Sequence, residues 1–237
     1  MAKKERLQIV NAVIAAAGSG SRMDGTDKLF INAGPEELPL IVYTLRAFEN
    51  CPLVRDVIVA APLERVADVC AYAGEYKLSK VKCVTAGGNS RTESVQKGLA
   101  ELSGDTDYVV IHDGARPLVT PSLIAAVILD GTTYGAAIAA VPITDTVKHV
   151  LSGSVSRTVP RRTLYAAQTP QVFELGLIKA ALYNAAQKGL ELTDDAQAVE
   201  ALGFPVRITA SSRANIKVTY PEDLIALNAY LESEYKL

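Results

Sequence analysis

The chain has 237 residues, 49% of them hydrophobic and 21% charged, with a formal net charge of −2. Length and composition suit one large α/β domain with a sizeable core, and the charge balance excludes a general nucleic-acid binder, which carries a basic surplus. No apolar run approaches the ~18 residues needed to span a bilayer. The start, Met1-Ala2-Lys3-Lys4-Glu5-Arg6, lacks the core and cleavage pattern of a signal peptide. Cys51, Cys70 and Cys83 form no CxxC pair and are odd in number. They predict reduced core thiols in a reducing cytoplasm, and together with the charge balance and the missing apolar span the expectation is a soluble, cytoplasmic protein with neither nucleic acid nor membrane as partner.

Along the chain, Val10–Ala16 reads as a buried strand. It empties into Ala15-Ala16-Ala17-Gly18-Ser19-Gly20-Ser21-Arg22-Met23, with Lys28 following. Small residues after a strand let backbone N–H groups approach an anion, and Arg22 and Lys28 add two positive charges. The pattern suggests a polyphosphate site, with generic turn glycines as the plainer reading. GxGxxG fails at Met23, and GxxxxGK[ST] is absent. Two cations suit a reaction that builds negative charge on phosphate better than they suit hydride transfer.

Further strands are predicted at Asp56–Ala61, Val81–Thr85 and Tyr108–Ile111. Between them come helices at Leu40–Phe48, Glu64–Tyr72 and Arg91–Leu102, the last with Val95, Leu99 and Leu102 on one face. The alternation predicts an α/β fold with a mainly parallel, doubly wound, Rossmann-like sheet. Ahead of Arg91 lies Ala86-Gly87-Gly88-Asn89-Ser90. Ser90 is a natural N-cap with Glu93 completing a capping box. Gly88, Arg91 and Ser94 remain able to face a base or phosphate at the helix start.

In Tyr108-Val109-Val110-Ile111-His112-Asp113-Gly114-Ala115-Arg116-Pro117, Asp113 falls at the carboxyl end of a strand, where open α/β sheets bind ligands. A carboxylate beside a nucleotide suits Mg²⁺; capping the next turn is the structural alternative. His112 is expected to make a structural hydrogen bond, because an attacking phosphate is already ionised at neutral pH.

A helix after Pro121 and a strand Gly135–Val141 follow. Thr146–Leu151 and Val155–Val159 around Ser152-Gly153-Ser154 then predict a protruding β-hairpin. Next come a helix at Leu175–Gln187, a strand at Val206–Ala210 and a helix opening at Pro221 with Glu222 and Asp223. Asp194-Asp195 looks metal-like, but a helix start capped by Thr193 or Asp194 is preferred. Thr146, Arg161, Arg162, Thr169 and Lys217 read singly as surface residues more readily than as site residues. One domain over 1–237, with an arm at about 144–166, is the simplest organisation.

AAAGSGSRM…K, GGNSRTESV, HDGARP, PITDTVK, QTPQVF and NIKVTYPEDL occur in this order over roughly residues 9–235. The series resembles the 2-C-methyl-D-erythritol 4-phosphate cytidylyltransferases of the non-mevalonate isoprenoid route. The resemblance implies cytidylyl transfer from CTP to a polyol phosphate, with Mg²⁺ and loss of pyrophosphate. It implies catalytic roles for Arg22, Lys28, Arg161 and Lys217, and nucleotide contacts at Ala16, Ala17, Gly18, Gly88, Asn89, Arg91, Ser94 and Gly114. Asp113 would hold the metal. Arg116, Thr146, Arg161, Thr169 and Lys217 would surround the acceptor. It further implies a homodimer in which the arm crosses to the partner and Arg161 serves the neighbouring site. Asn89 stands where the family often carries an acid, and Gly114 where alanine is frequent. A pentitol-phosphate cytidylyltransferase, such as one using ribitol 5-phosphate, is the nearest rival. A dinucleotide-dependent oxidoreductase and a catalytically idle nucleotide-binding module are the others.

Overall fold

The protein's structure, a computed structural model, describes residues 7–18 and 27–233. In chain order the elements are β1 (Val10–Ala15), β2 (Asn32–Ala33), β3 (Leu38–Pro39), α1 (Leu40–Glu49), β4 (Val57–Ala61), α2 (Val66–Glu75), β5 (Val81–Ala86) and α3 (Arg91–Ala100). They continue with β6 (Tyr108–Asp113), α4 (Pro121–Tyr134), β7 (Ala136–Pro142), β8 (Val147–Leu151), β9 (Ser154–Val159) and β10 (Tyr165–Glu174). The chain closes with α5 (Leu175–Gln187), α6 (Asp195–Glu200), β11 (Arg207–Ala210) and α7 (Pro221–Glu232).

The main sheet has seven strands in the order β11-β7-β10-β6-β1-β4-β5. All pair in parallel except β10, which runs antiparallel between β6 and β7. Because side chains alternate along a strand, neighbouring residues feed two cores. Ala12, Ile14 and Val110 pack with Phe48, Val69, Ile124 and Leu227, from α1, α2, α4 and α7. Val13, Val109 and Ile111 pack with Val95, Leu99, Ile178 and Val199, from α3, α5 and α6. Helices therefore cover both faces, which is why these strands read as nearly unbroken apolar runs.

Several expectations shift. The helix expected over Glu64–Tyr72 begins as a 3₁₀ turn, Leu63–Arg65, before α2. α3 stops at Ala100, so Leu102 lies beyond it and packs on the second core. β6 runs two residues past the predicted Ile111, through His112 to Asp113, which is its last residue. The ten-residue β10 has no counterpart among the predicted strands. Its register slips between Ala167 and Gln171, where the Thr169–Pro170 peptide is cis. A slip of this kind lets proline occupy an interior strand without breaking the ladder on either side.

The predicted hairpin is present as β8 and β9, a separate two-stranded sheet. Its residues are exposed over almost the whole length, including Val150, Leu151 and Val155. Among the described residues, no helix is long and apolar enough to cross a membrane.

Candidate active site

The site forms at the carboxyl ends of β1, β4, β5 and β6, where successive strands open outward. β1 ends at Ala15 and is followed by Ala16 and Ala17. Ala16 extends the pairing, its N–H donating to the Ala60 carbonyl at 2.8 Å. The loop after β5 then presses on this chain. Gly87 N–H donates to the Ala61 carbonyl at 2.7 Å. A Cβ on Gly87 would sit 2.1 Å from Ala17 Cβ, so only glycine permits the approach. Ser94 fixes the same loop: its hydroxyl accepts from Gly88 N–H (3.0 Å) and donates to the Ser90 carbonyl (2.8 Å). Ser90 caps α3 as expected, accepting from Glu93 N–H at 3.1 Å. The Glu93 carboxylate reaches Asn89 N–H (2.8 Å), one residue earlier than a capping box requires. Asn89 is thus held through its backbone, and its side chain is exposed.

Asp113 lies at the centre of an alternating charge chain. Its Oδ1 accepts from Arg91 Nε at 2.8 Å, and its Oδ2 lies 2.7 Å from Lys217 Nζ. Arg91 Nη2 in turn lies 2.8 Å from Asp195 Oδ2, aligned as an ion pair and not as a hydrogen bond. Burial pushes the Asp113 carboxyl up, but Arg91 and Lys217 outweigh it and hold the group well below the ordinary carboxylate range. Burial likewise raises Asp195, and there Arg91 offsets only part of the effect. Burial lowers the Arg91 guanidinium, yet Asp195 and Asp113 together lift it above its usual value.

Behind this chain lies a neutral relay. Asp113 N–H donates to Thr169 Oγ1 at 3.0 Å, and that hydroxyl lies 3.0 Å from His112 Nδ1. The Arg116 carbonyl can only accept, so His112 Nε2 carries the ring proton and donates to it at 3.3 Å, which leaves Nδ1 to accept from the Thr169 hydroxyl. Burial lowers the His112 pKa to about 3, so the ring is neutral and structural, as expected. Arg116 is buried and donates from Nη1 to the Asn215 carbonyl at 2.7 Å. Its Nε stands 3.9 Å from Asp113.

Three adjoining cavities surround these groups. The first, about 360 Å³, is lined by Ala15–Gly18, Lys28, Arg91, Ser94, Asp113 and Lys217, with Thr193 and Thr219 at its rim. The second, about 260 Å³, shares Arg91, Asp113, Thr193 and Lys217 and adds Arg116, Gln168 and Thr169. The third, about 310 Å³, lies between Gly18, Asp27, Glu64 and Gly87–Asn89. Of the residues singled out in the sequence, twelve line these cavities or support their walls: Ala16, Ala17, Gly18, Lys28, Gly88, Asn89, Arg91, Ser94, Asp113, Arg116, Thr169 and Lys217.

Gly114 supports from behind. Its N–H donates to the Ala15 carbonyl and its carbonyl accepts from Thr44, both at 2.9 Å. A Cβ there would meet its neighbours at an ordinary 3.4 Å. Arg22 lies outside the described residues. Thr146 and Arg161 are exposed at the arm and line none of the three cavities; Arg161 donates to the Thr144 carbonyl. Asp195 was read as part of a helix start in preference to a metal site. Asp194 does cap α6, accepting from Gln197 N–H at 3.0 Å, but Asp195 also completes the charge chain. Two adjacent acids in the sequence signalled the cap, and nothing in their spacing pointed to Arg91.

The sequence profile of the 2-C-methyl-D-erythritol 4-phosphate cytidylyltransferases matches residues 10–233. The chain belongs to this family. It is 44% identical over 226 residues to the family enzyme of Pelotomaculum thermopropionicum, covering 94% of each chain. It is 41% identical over 225 residues to that of Dehalococcoides mccartyi, covering 94% of this chain and 96% of the relative. Among solved structures, the 4-diphosphocytidyl-2C-methyl-D-erythritol synthase of Anaerococcus prevotii superposes with a TM-score of 0.85 at 28% identity, over 96% of this chain and all of the other. The Thermus thermophilus cytidylyltransferase gives 0.77 at 33% identity, over 95% of this chain and 100% of its own. Family membership and the mostly parallel α/β sheet thus agree with the reading of the motifs.

Proposed function

We propose that the chain transfers the cytidylyl group of CTP to 2-C-methyl-D-erythritol 4-phosphate, giving 4-diphosphocytidyl-2-C-methyl-D-erythritol and pyrophosphate. One observation carries the reading: two cavities share the Asp113–Lys217 pair as a common wall. One has a bare backbone and Lys28, suited to a triphosphate; the other has Arg116, suited to a phosphorylated acceptor. The names of the relatives favour methylerythritol phosphate over a pentitol phosphate.

In this reading the acceptor's phosphate oxygen attacks the α-phosphorus of CTP in line. A new P–O bond forms as the bond to the β-phosphate bridge breaks, and pyrophosphate leaves with the electron pair. The attacking phosphate is already ionised near neutral pH, so no general base is needed, in keeping with a neutral, buried His112. Catalysis then rests on positioning and on cations that meet developing charge. Lys28, Lys217 and Arg22 are the groups assigned to that task. Ala16–Gly18 offer backbone to the phosphates, while Gly88, Asn89, Arg91, Ser94 and Gly114 shape the nucleotide side. Arg116, Thr146, Arg161 and Thr169 complete the acceptor side.

Mg²⁺ is the cation this reading requires, with Asp113 as its protein ligand. An ionised carboxylate has about four lone-pair sites, and Arg91 and Lys217 engage one oxygen each. Capacity remains for a hard cation whose other ligands are phosphates and water. When bound, such an ion neutralises charge on the triphosphate.

We further read the chain as one nucleotidyltransferase domain working in the cytoplasm as a homodimer. The arm, about 144–166, carries Arg161 to the partner's site. The exposed Val150, Leu151 and Val155 support a covered arm. Pyrophosphate release with CTP and competing acceptors tests the function. Methylerythritol phosphate is expected to dominate; a strong preference for ribitol 5-phosphate would reverse the assignment.

A further inference from the structure

Lys28 sits on a single 3₁₀ turn, Lys28–Phe30, that has no side-chain cap. One such turn does not hold itself in place. Leu29 gives one tie by entering the core. Two more come from a residue further along the chain. The Arg65 guanidinium lies 3.9 Å from the centroid of the Phe30 ring, and its Nε lies 3.3 Å from Asp27 Oδ2. Arg65 thus touches the residue just before Lys28 and the residue two after it.

Arg65 is itself held. Its Nη1 pairs with Asp68 at 2.9 Å, and its backbone N–H donates to the Pro62 carbonyl at 2.9 Å. Pro62 directly follows β4, at the sheet end where the cavities open. Phe30 is backed by Tyr72 of α2, 6.2 Å away ring to ring. An exposed ion pair alone does little. A planar guanidinium stacked on a ring and bracketed by two carboxylates does more, and lysine cannot reproduce that geometry.

We propose that Arg65 is a positioning residue for Lys28, clasping Asp27 and Phe30 so that the ammonium group stays directed into the triphosphate cavity. The proposal rests on the assignment of Lys28 to catalysis. The alternative is that the clasp only stabilises the fold.

A double-mutant cycle on turnover separates the two. Because displacement of about 1 Å can cost up to ~10²-fold, Arg65→Ala is expected to lower kcat about 10- to 100-fold. KM for the acceptor should stay within about twofold, because the acceptor cavity is not lined by the turn. Arg65→Lys should recover only part of the rate. In a Lys28→Ala background, Arg65→Ala should cost less than about twofold more, since residues acting through one group are not additive. If Arg65→Ala folds poorly, Phe30→Leu keeps the core contact, removes the stacking partner and should show the same non-additivity. An equal penalty in both backgrounds, or an unchanged kcat in Arg65→Ala and Phe30→Leu, would overturn the proposal. A near-normal rate in Lys28→Ala alone would instead remove the assignment on which it stands.

Discussion

Lys217 Nζ rests 2.7 Å from Asp113 Oδ2, and the pair forms part of the wall of both candidate substrate cavities. The carboxylate is buried, while the Lys217 side chain is 37% exposed. Asp113 therefore does two things before any ligand arrives. It holds one candidate catalytic lysine, and through Oδ1 it holds Arg91.

Replacing Asp113 by Asn removes the negative charge from between two cations. Turnover should fall roughly 10²–10³-fold, the usual cost of losing one preorganised electrostatic partner. The Mg²⁺ concentration for half-maximal pyrophosphate release should rise. A Mg²⁺ titration of the variant with an unchanged midpoint would contradict the metal role.

Lys28→Ala and Lys217→Ala should each lower kcat by roughly 10²–10³-fold, and Lys28→Ala should change the urea midpoint little. Lys28 is partly exposed and contributes little to folding, whereas Lys217→Ala also leaves the buried Asp113 carboxylate with Arg91 as its close cation and should lower the urea midpoint as well. Steady-state kinetics beside urea titrations check this. A variant with near-normal kcat would take that lysine out of the mechanism.

Asp195 should behave in the opposite way. Its carboxylate is 1% exposed and has Arg91 as its ion-pair partner. Asp195→Ala leaves a mostly buried guanidinium with one carboxylate in place of two. Removing one member of a buried pair costs about 3 kcal/mol or more. Because Asp113 still engages Arg91, urea unfolding should show a loss of up to that size, and a variant as stable as the parent would mean that the pair adds no net stability.

The pH dependence follows from His112. Its native pKa is lowered to about 3 by burial, against ~6.5 in an unfolded chain. The unfolded state therefore binds a proton that the native state refuses. Stability is intact above pH ~6.5 and falls as the pH drops toward the native value, at up to ~1.4 kcal/mol per pH unit. Asp113, also lowered in the native state, adds a loss only below pH ~4. Between pH 6.5 and 5 the urea midpoint of the parent should fall, and that of His112→Gln should lie nearly flat. Parallel curves would assign the acid sensitivity elsewhere.

The arm has its own test. Mixing Arg161→Ala with Lys28→Ala protomers should restore up to about a quarter of the parent activity if each site combines its own Lys28 with the partner's Arg161, as a two-fold dimer allows. Sites built within one chain would give no recovery.

Much of this was readable in the residues. The apolar runs that became β1, β4 and β6 are covered on both faces, so composition alone marked them. Together with β5, the same runs placed Ala16–Gly18, Arg91 and Asp113 at one end of the sheet. β10 was not readable as a strand, because Gln168, Gln171 and Pro170 interrupt the pattern. Its two buried glutamines are satisfied by distant groups: Gln171 donates to Asp194 at 2.9 Å, and Gln168 accepts from Asn215 and Ser211. The joining of Asp195 to Arg91 was hidden for the same reason. Local pattern shows which residues cap and which face a core, but a pairing across 104 positions depends on how α3 and α6 are brought together.

The most direct test is the structure of the complex with CTP. The triphosphate is predicted to lie along Ala16–Gly18 beside Lys28, with the base toward Gly88 and Asn89 and Asp113 in contact with the metal or the nucleotide. CTP bound away from this end of the sheet, with Asp113 touching neither, would contradict the account.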